Sequence, residues 1–233
     1  MTAFVAGATG LTGREVVRQL CERGVSTIAH VRPDSSSRER WTTRFQELGA
    51  TVSIAAWTAD AMEEALADAT LVYALLGTTR KRGKAAKREG KNETYETIDY
   101  GLSKLLLDAA QGGRPRFVYL SSMGVSATTT NAYLAVRHRL ETDLQQSGLP
   151  WAVARPSFID GDRDETRPGE AVGIVVADGA LALVGALGGR RLRERYRSQT
   201  NVELARALVE IGLRDDLVDQ IHESDRLREL AAA

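Results

Sequence analysis

The sequence predicts an α/β protein built on a single doubly wound parallel sheet, and three observations carry that prediction. Short apolar runs without polar alternation recur along the chain, which marks strands buried on both faces. Segments with apolar residues at helical spacing separate them, and regular alternation of strand and helix implies right-handed crossovers in a sheet covered on both sides. The first run is followed at once by three glycines spaced three apart, in FVAGATGLTGREVV, residues 4–17.

The strands fall at about 2–6, 26–31, 51–56, 70–76, 116–120 and 150–155, each rich in Val, Ile, Leu and Ala. The clearest helix spans about 93–111, where Ile98, Leu102, Leu105, Leu106 and Ala109 form one stripe. A second, about 131–147, carries Tyr133, Val136, Leu140 and Leu144 along a face. Beyond residue 156 the alternation fails, until a last helix near 201–213, a short strand near 217–222 and a closing helix. The chain therefore reads as one domain over 1–233, with 1–155 as the binding core and 156–233 as a small substrate-side lid portion. Ligands in such sheets sit beyond the carboxyl ends of the strands. The segments opening at Gly7, His30, Ala56, Gly77, Ser121 and Arg155 are the places to search.

Length and composition bound the answer. The 233 residues are 43% hydrophobic, enough for one well-buried core. Thirty-one basic residues balance thirty-one acidic ones, so no global field draws the chain to nucleic acid or to an anionic membrane. With Cys21 alone there is no intramolecular disulfide, and Cys21 reads as a small core residue. The N-terminus shows no basic segment leading into an apolar one, which argues against export and favours a cytoplasmic location. The apolar stretch 171–189 is about as long as a bilayer span, but Asp178 near its middle costs roughly 3 kcal/mol on insertion scales. It reads as a glycine-broken buried segment.

A strand, then Gly7, Ala8, Thr9, Gly10, Leu11, Thr12 and Gly13, then a helix is the context of a Rossmann dinucleotide loop. Gly7 permits the tight turn, Gly10 lets the backbone approach a pyrophosphate, and Gly13 lets helix and strand pack closely. Exposed amides and the helix dipole hold the negative charge. A nucleoside-triphosphate loop requires Lys and then Ser or Thr after the last glycine; Arg14 and Glu15 stand there instead. The second strand ends in AHVRP, with Arg32 at its tip where an acidic residue would take the ribose of NAD. A guanidinium suits the 2′-phosphate of NADP, so NADP is favoured over NAD.

GATGLTGREVV, HVRP, LLGTTR, YLSSMGV, YLAVRHRLE and ARPSFIDGDR, in this order, resemble the atypical short-chain dehydrogenases/reductases, most closely the NmrA-like and Tat-interacting-protein-like branch. The resemblance implies that Gly77 and Thr78 lie near the cofactor's ribose and nicotinamide and that Pro156 lines the nicotinamide. It also implies that Ser122, or its neighbour Ser121, matches the active-site serine and Tyr133 the active-site tyrosine. Carbonyl reduction needs a proton donor at the developing alkoxide, and a phenol serves at neutral pH only with help from a nearby cation. Position 137, four residues on from Tyr133, shares its helix face. The family carries Lys there; this chain carries Arg137, which keeps the charge and can reach a ribose but cannot relay a proton. Two functions follow: an NADP(H)-dependent enzyme for a small carbonyl or alcohol, or a dinucleotide-binding redox sensor that acts on a protein partner without turnover.

Two further segments are weaker signals. Residues 79–91, TRKRGKAAKREGK, hold seven bases against one acid but no interleaved aromatics, so they read as a solvated loop rather than a nucleic-acid site. Residues 160–170 place acids at alternate positions, yet Glu165 and Ala171 stand where a calcium loop needs Gly and Glu. No histidine or cysteine spacing suggests a metal.

Overall fold

The computed structural model describes residues 1–78, 88, 90, 92–157, 159–160 and 199–232. Seven strands, β1 (Thr2–Ala6), β2 (Ser26–His30), β3 (Thr51–Ser53), β4 (Leu71–Ala74), β5 (Arg116–Leu120), β6 (Trp151–Arg155) and β9 (Gln220–Glu223), form one parallel sheet in the order β3-β2-β1-β4-β5-β6-β9. Two short strands, β7 (Ile159–Asp160) and β8 (Gln199–Thr200), pair separately. Seven α-helices are described: α1 (Leu11–Glu22), α2 (Arg38–Glu47), α3 (Ala59–Leu66), α4 (Ser103–Ala109), α5 (Ala132–Gln146), α6 (Asn201–Leu213) and α7 (Ser224–Ala232).

The unbroken apolar runs have a direct cause in the two-sided core. Along β1, Ala3 and Val5 face α1, α2, α6 and α7, while Phe4 and Ala6 face α3, α4 and α5; all four side chains are fully buried. The central strands β1 and β4 thus meet apolar neighbours on both faces, which removes the polar alternation of a half-exposed sheet. On the first face, α1 and α6 are tied across most of the chain. Gln19 donates to the Val202 carbonyl at 3.1 Å, and Asn201 donates to the Leu11 carbonyl at 3.4 Å.

Three expectations are adjusted. The third and fourth strands are shorter than their apolar runs, so Leu75, Leu76 and Gly77 leave the sheet as a loop. The segment expected as one helix over 93–111 opens instead as a π-helix, Tyr95–Leu102, and continues as α4. It carries a buried acid, Asp99, beside Ile98 of the apolar stripe. The late strand lies at Gln220–Glu223, after a 3₁₀ turn at Asp215–Leu217. Among the described residues no helix is long and apolar enough to cross a membrane. The stretch 171–189, the loop 160–170 apart from Asp160, and most of the basic loop 79–91 lie outside the described residues.

Candidate functional site

The winding of the sheet reverses between β1 and β4, and the glycine loop stands at that reversal. Gly7 adopts φ +80°, and a Cβ there would lie 2.6 Å from the Leu75 carbonyl oxygen at the end of β4. A Cβ at Gly13 would lie 2.1 Å from the Gly7 carbonyl oxygen, so only glycine lets α1 start this close to the loop. The Gly10 amide donates to that same carbonyl at 3.0 Å. As the residue capping α1, Gly10 offers no side-chain hydrogen bond, and the first turn carries no acid. The early amides of α1 are thereby left to an external anion. Ala8 and Thr12 are buried beneath the loop, while Thr9 and Gly10 face outward into a cleft.

That cleft is open to solvent, has a cavity volume of about 140 Å³, and is lined by the loop, by His30 at the end of β2 and Arg32 just beyond it, and by Trp57, Leu75, Leu76, Gly77, Ile98 and Leu102. His30 and Trp57 meet edge to face with ring centroids 4.9 Å apart. Burial pushes the His30 pKa below its ordinary value, and its Nε2 donates to the Ala55 carbonyl at 2.9 Å. Arg32 donates to Glu93 at 3.1 Å, and its Nε lies 3.7 Å from Asp34. A glycine cradle, an anion-ready helix start and a cation at the tip of β2 are groups that could hold the pyrophosphate and adenosine ribose of a dinucleotide.

The remaining predicted residues lie outside this cleft's lining and gather along α5 and the ends of β4, β5 and β6. Asn131 starts α5 by accepting from the Tyr133 and Leu134 amides at 2.9 and 3.4 Å. From that start, Tyr133, Arg137 and Glu141 follow at intervals of four and share a face. The Arg137 guanidinium lies 4.8 Å from the Tyr133 ring centroid, and the Tyr133 ring packs against Tyr95 at 5.2 Å. Arg137 is itself buried. It donates to Asp99 at 2.8 Å, to the Leu76 carbonyl at 3.4 Å and to the Leu120 carbonyl, so one side chain joins the ends of β4 and β5 to the π-helix. Burial opposes its charge, but Tyr119, Tyr133 and Asp99 outweigh burial and hold the guanidinium protonated. Gly77 makes room for it, since a Cβ there would sit 3.1 Å from Nη2. The Thr78 amide donates to the second Asp99 oxygen at 3.0 Å.

The two serines after β5 differ in commitment. Ser121 is buried and donates to Glu141, whereas Ser122 is part-exposed with one long bond, 3.3 Å, to the neighbouring Met123 carbonyl. Pro156 is buried at the end of β6 and accepts from the Met123 amide at 2.9 Å, which holds the loops after β5 and β6 together. Arg155 grips Glu141 through two donors, at 2.5 and 3.1 Å, and reaches Glu223 on β9 at 3.1 Å. Asp99, Glu141, Glu223 and Glu93 escaped sequence reading, and Arg155 entered it only as the start of a segment to search. One signal for Glu141 was present: it stands four residues after Arg137 in YLAVRHRLE. Among the described residues no group of three acidic, His or Cys side chains is placed to hold a metal.

Fold and cradle together define a Rossmann-type dinucleotide-binding protein. The NAD(P)H-binding family matches residues 7–187, well over half of the chain, and the chain belongs to that family, whose cofactor is a nicotinamide dinucleotide. Among curated relatives, protein FMP52-1, mitochondrial, of Scheffersomyces stipitis is 28% identical over 72% of this chain and 71% of its own length. Protein fmp52, mitochondrial, of Aspergillus clavatus is 28% identical over 89% and 85%. Two solved structures share the fold. The Citrobacter sp. triphenylmethane reductase, complexed with NADP(H), has a TM-score of 0.64 at 14% identity, covering 96% of this chain and 69% of that one. ChuY, an anaerobillin reductase from Escherichia coli O157:H7, has a TM-score of 0.62 at 15% identity, covering 95% of both. The relatives' names overturn the cytoplasmic expectation, because they are called mitochondrial. A missing secretory pattern speaks to export alone and leaves organelles open.

Proposed function

We propose that the protein is an NADP(H)-dependent oxidoreductase of the atypical short-chain type, in its NmrA-like branch, acting on a small carbonyl or alcohol. The observation that carries this reading is the Tyr133 ring set 4.8 Å from a buried, permanently charged Arg137, beside strand ends that border the dinucleotide cleft. The bound nicotinamide supplies or accepts the hydride. Tyr133 hands its phenolic proton to the substrate oxygen as negative charge develops there, and Arg137 favours the phenolate left behind. Ser122, the less committed serine, donates to the same oxygen. Arg32 takes the 2′-phosphate, Gly77, Thr78 and Pro156 border the ribose and nicotinamide, and residues 156–233 form the substrate side of the same domain.

A specific observation favours a second reading. Both Nη groups of Arg137 are engaged by protein acceptors, where the family's lysine serves the ribose and the proton relay. A dinucleotide-dependent redox sensor acting through a protein partner needs no such relay. Tryptophan fluorescence during NADPH titration measures binding, and NADPH oxidation with a panel of aldehydes, ketones and quinones measures turnover. Turnover that falls roughly a hundred-fold or more in Tyr133→Phe, with NADPH affinity kept, supports the enzyme. Tight binding with no turnover across the panel leaves the sensor.

A further inference from the structure

We infer that Glu93 is a specificity-determining residue that counters Arg32 and opens the adenosine-ribose site to NAD(H) as well as NADP(H). The inference rests on the reading of Arg32 as the residue beside the ribose 2′ position. Arg32 lines the cleft, but its guanidinium is already paired: Nη1 donates to Glu93 at 3.1 Å, and Nε faces Asp34 at 3.7 Å. The Arg32 guanidinium thus faces two carboxylates. They are unequal, because the Glu93 side chain is 10% exposed and that of Asp34 is 61% exposed. Water screens Asp34 well and Glu93 poorly.

The position of Glu93 is built rather than incidental. On one side, the Asn92 carbonyl accepts from the Thr97 hydroxyl at 2.7 Å. On the other, Thr94 caps the π-helix, its hydroxyl accepting from the Thr97 amide at 3.1 Å while its own amide donates to the Thr97 hydroxyl at 2.9 Å. The chain is therefore held immediately before and after Glu93. The same π-helix sends Ile98 and Leu102 into the cleft.

The two cofactors meet this pair differently. A 2′-phosphate, with nearly two negative charges, must share the guanidinium with a carboxylate that repels it. A 2′-hydroxyl is neutral and donates to a carboxylate, the task an acidic residue performs in NAD-binding Rossmann proteins. Here that carboxylate comes from the approach to the π-helix rather than from the end of the second strand. Arg32 alone signals NADP; Arg32 paired with Glu93 signals tolerance of both.

NADPH and NADH titrations of the wild type, Glu93→Gln and Arg32→Ala, read by tryptophan fluorescence, test the inference. The wild type is expected to bind the two within about ten-fold of each other, and Glu93→Gln to raise the NADPH preference about ten-fold, chiefly by tightening NADPH. A preference unchanged in Glu93→Gln, or NADPH binding weakened by it, overturns the inference. So does a wild-type NADPH preference beyond roughly a hundred-fold, a measurement that needs no variant. If Arg32→Ala lowers NADPH affinity while Glu93→Gln changes nothing, the Arg32 reading stands and the Glu93 inference falls. If Arg32→Ala leaves the preference intact, both fall.

Discussion

Arg137 donates to Asp99 at 2.8 Å, and the Asp99 side chain at the far end of that bond has no exposure to solvent. Removing one member strands the other charge in the interior, which typically costs about 3–5 kcal/mol. Asp99→Ala is therefore expected to lose that much in urea unfolding. Asp99→Asn loses less, since its amide oxygen still accepts. Arg137→Lys falls between them at roughly 1–3 kcal/mol, because one ammonium cannot span Asp99, Leu76 and Leu120 together.

The glycine loop separates folding from binding. Gly13→Ala drives a Cβ into the Gly7 carbonyl at 2.1 Å and is expected to cost about 2 kcal/mol or more and to abolish dinucleotide binding. Gly10→Ala meets the same oxygen at 3.2 Å, a contact relieved by a small shift. Its expected effect is near-native stability with weakened binding, because on the proposed reading the methyl group stands in the path of the pyrophosphate. Unfolding and fluorescence titrations of both variants distinguish the two effects.

Glu141 joins α5 to the last strands through Arg155 and Glu223. Glu141→Ala leaves Arg155 one remaining partner, so the expected loss is about 2 kcal/mol, below that of a fully stranded charge. A double-mutant cycle with Arg155→Ala should return a coupling of roughly 1–3 kcal/mol.

Acid should weaken the fold through its histidines. Burial, the leading cause, pushes His222 and His30 below the ordinary 6.5, against the hydrogen bonds they make to the Leu217 and Ala55 carbonyls. The unfolded chain then takes up protons that the folded one refuses. Their contribution is present above pH 6.5 and declines as pH falls below it, by up to about 1.4 kcal/mol per pH unit for each histidine. Urea midpoints at pH 7.5 and 5.5 should differ accordingly, and His222→Gln should reduce the difference.

The sheet was legible because burial on both faces leaves apolar runs that need no partner to be recognised. The glycine loop was legible because its constraints, Gly7 against Leu75 and Gly13 against Gly7, lie within a strand, a turn and a helix start or across one neighbouring strand. The polar bridges were not. Asp99 meets Arg137 across 38 residues and Glu93 meets Arg32 across 61, and only the folded chain sets such pairs together. The π-helix was hidden because its apolar spacing is that of an α-helix. Location was misread because a test for secretion was taken as a test for the cytoplasm.

The contact between α1 and α6 governs how the protein must be born. α1, the helix that follows the glycine loop, is made well before α6, whose Val202 and Asn201 hydrogen-bond with it across 183 and 190 residues. Until then Val16, Val17 and Leu20 lack much of their cover. Until α6 is made, α1 therefore exposes apolar surface that the folded protein hides, the kind of transient exposure that favours aggregation in a nascent chain.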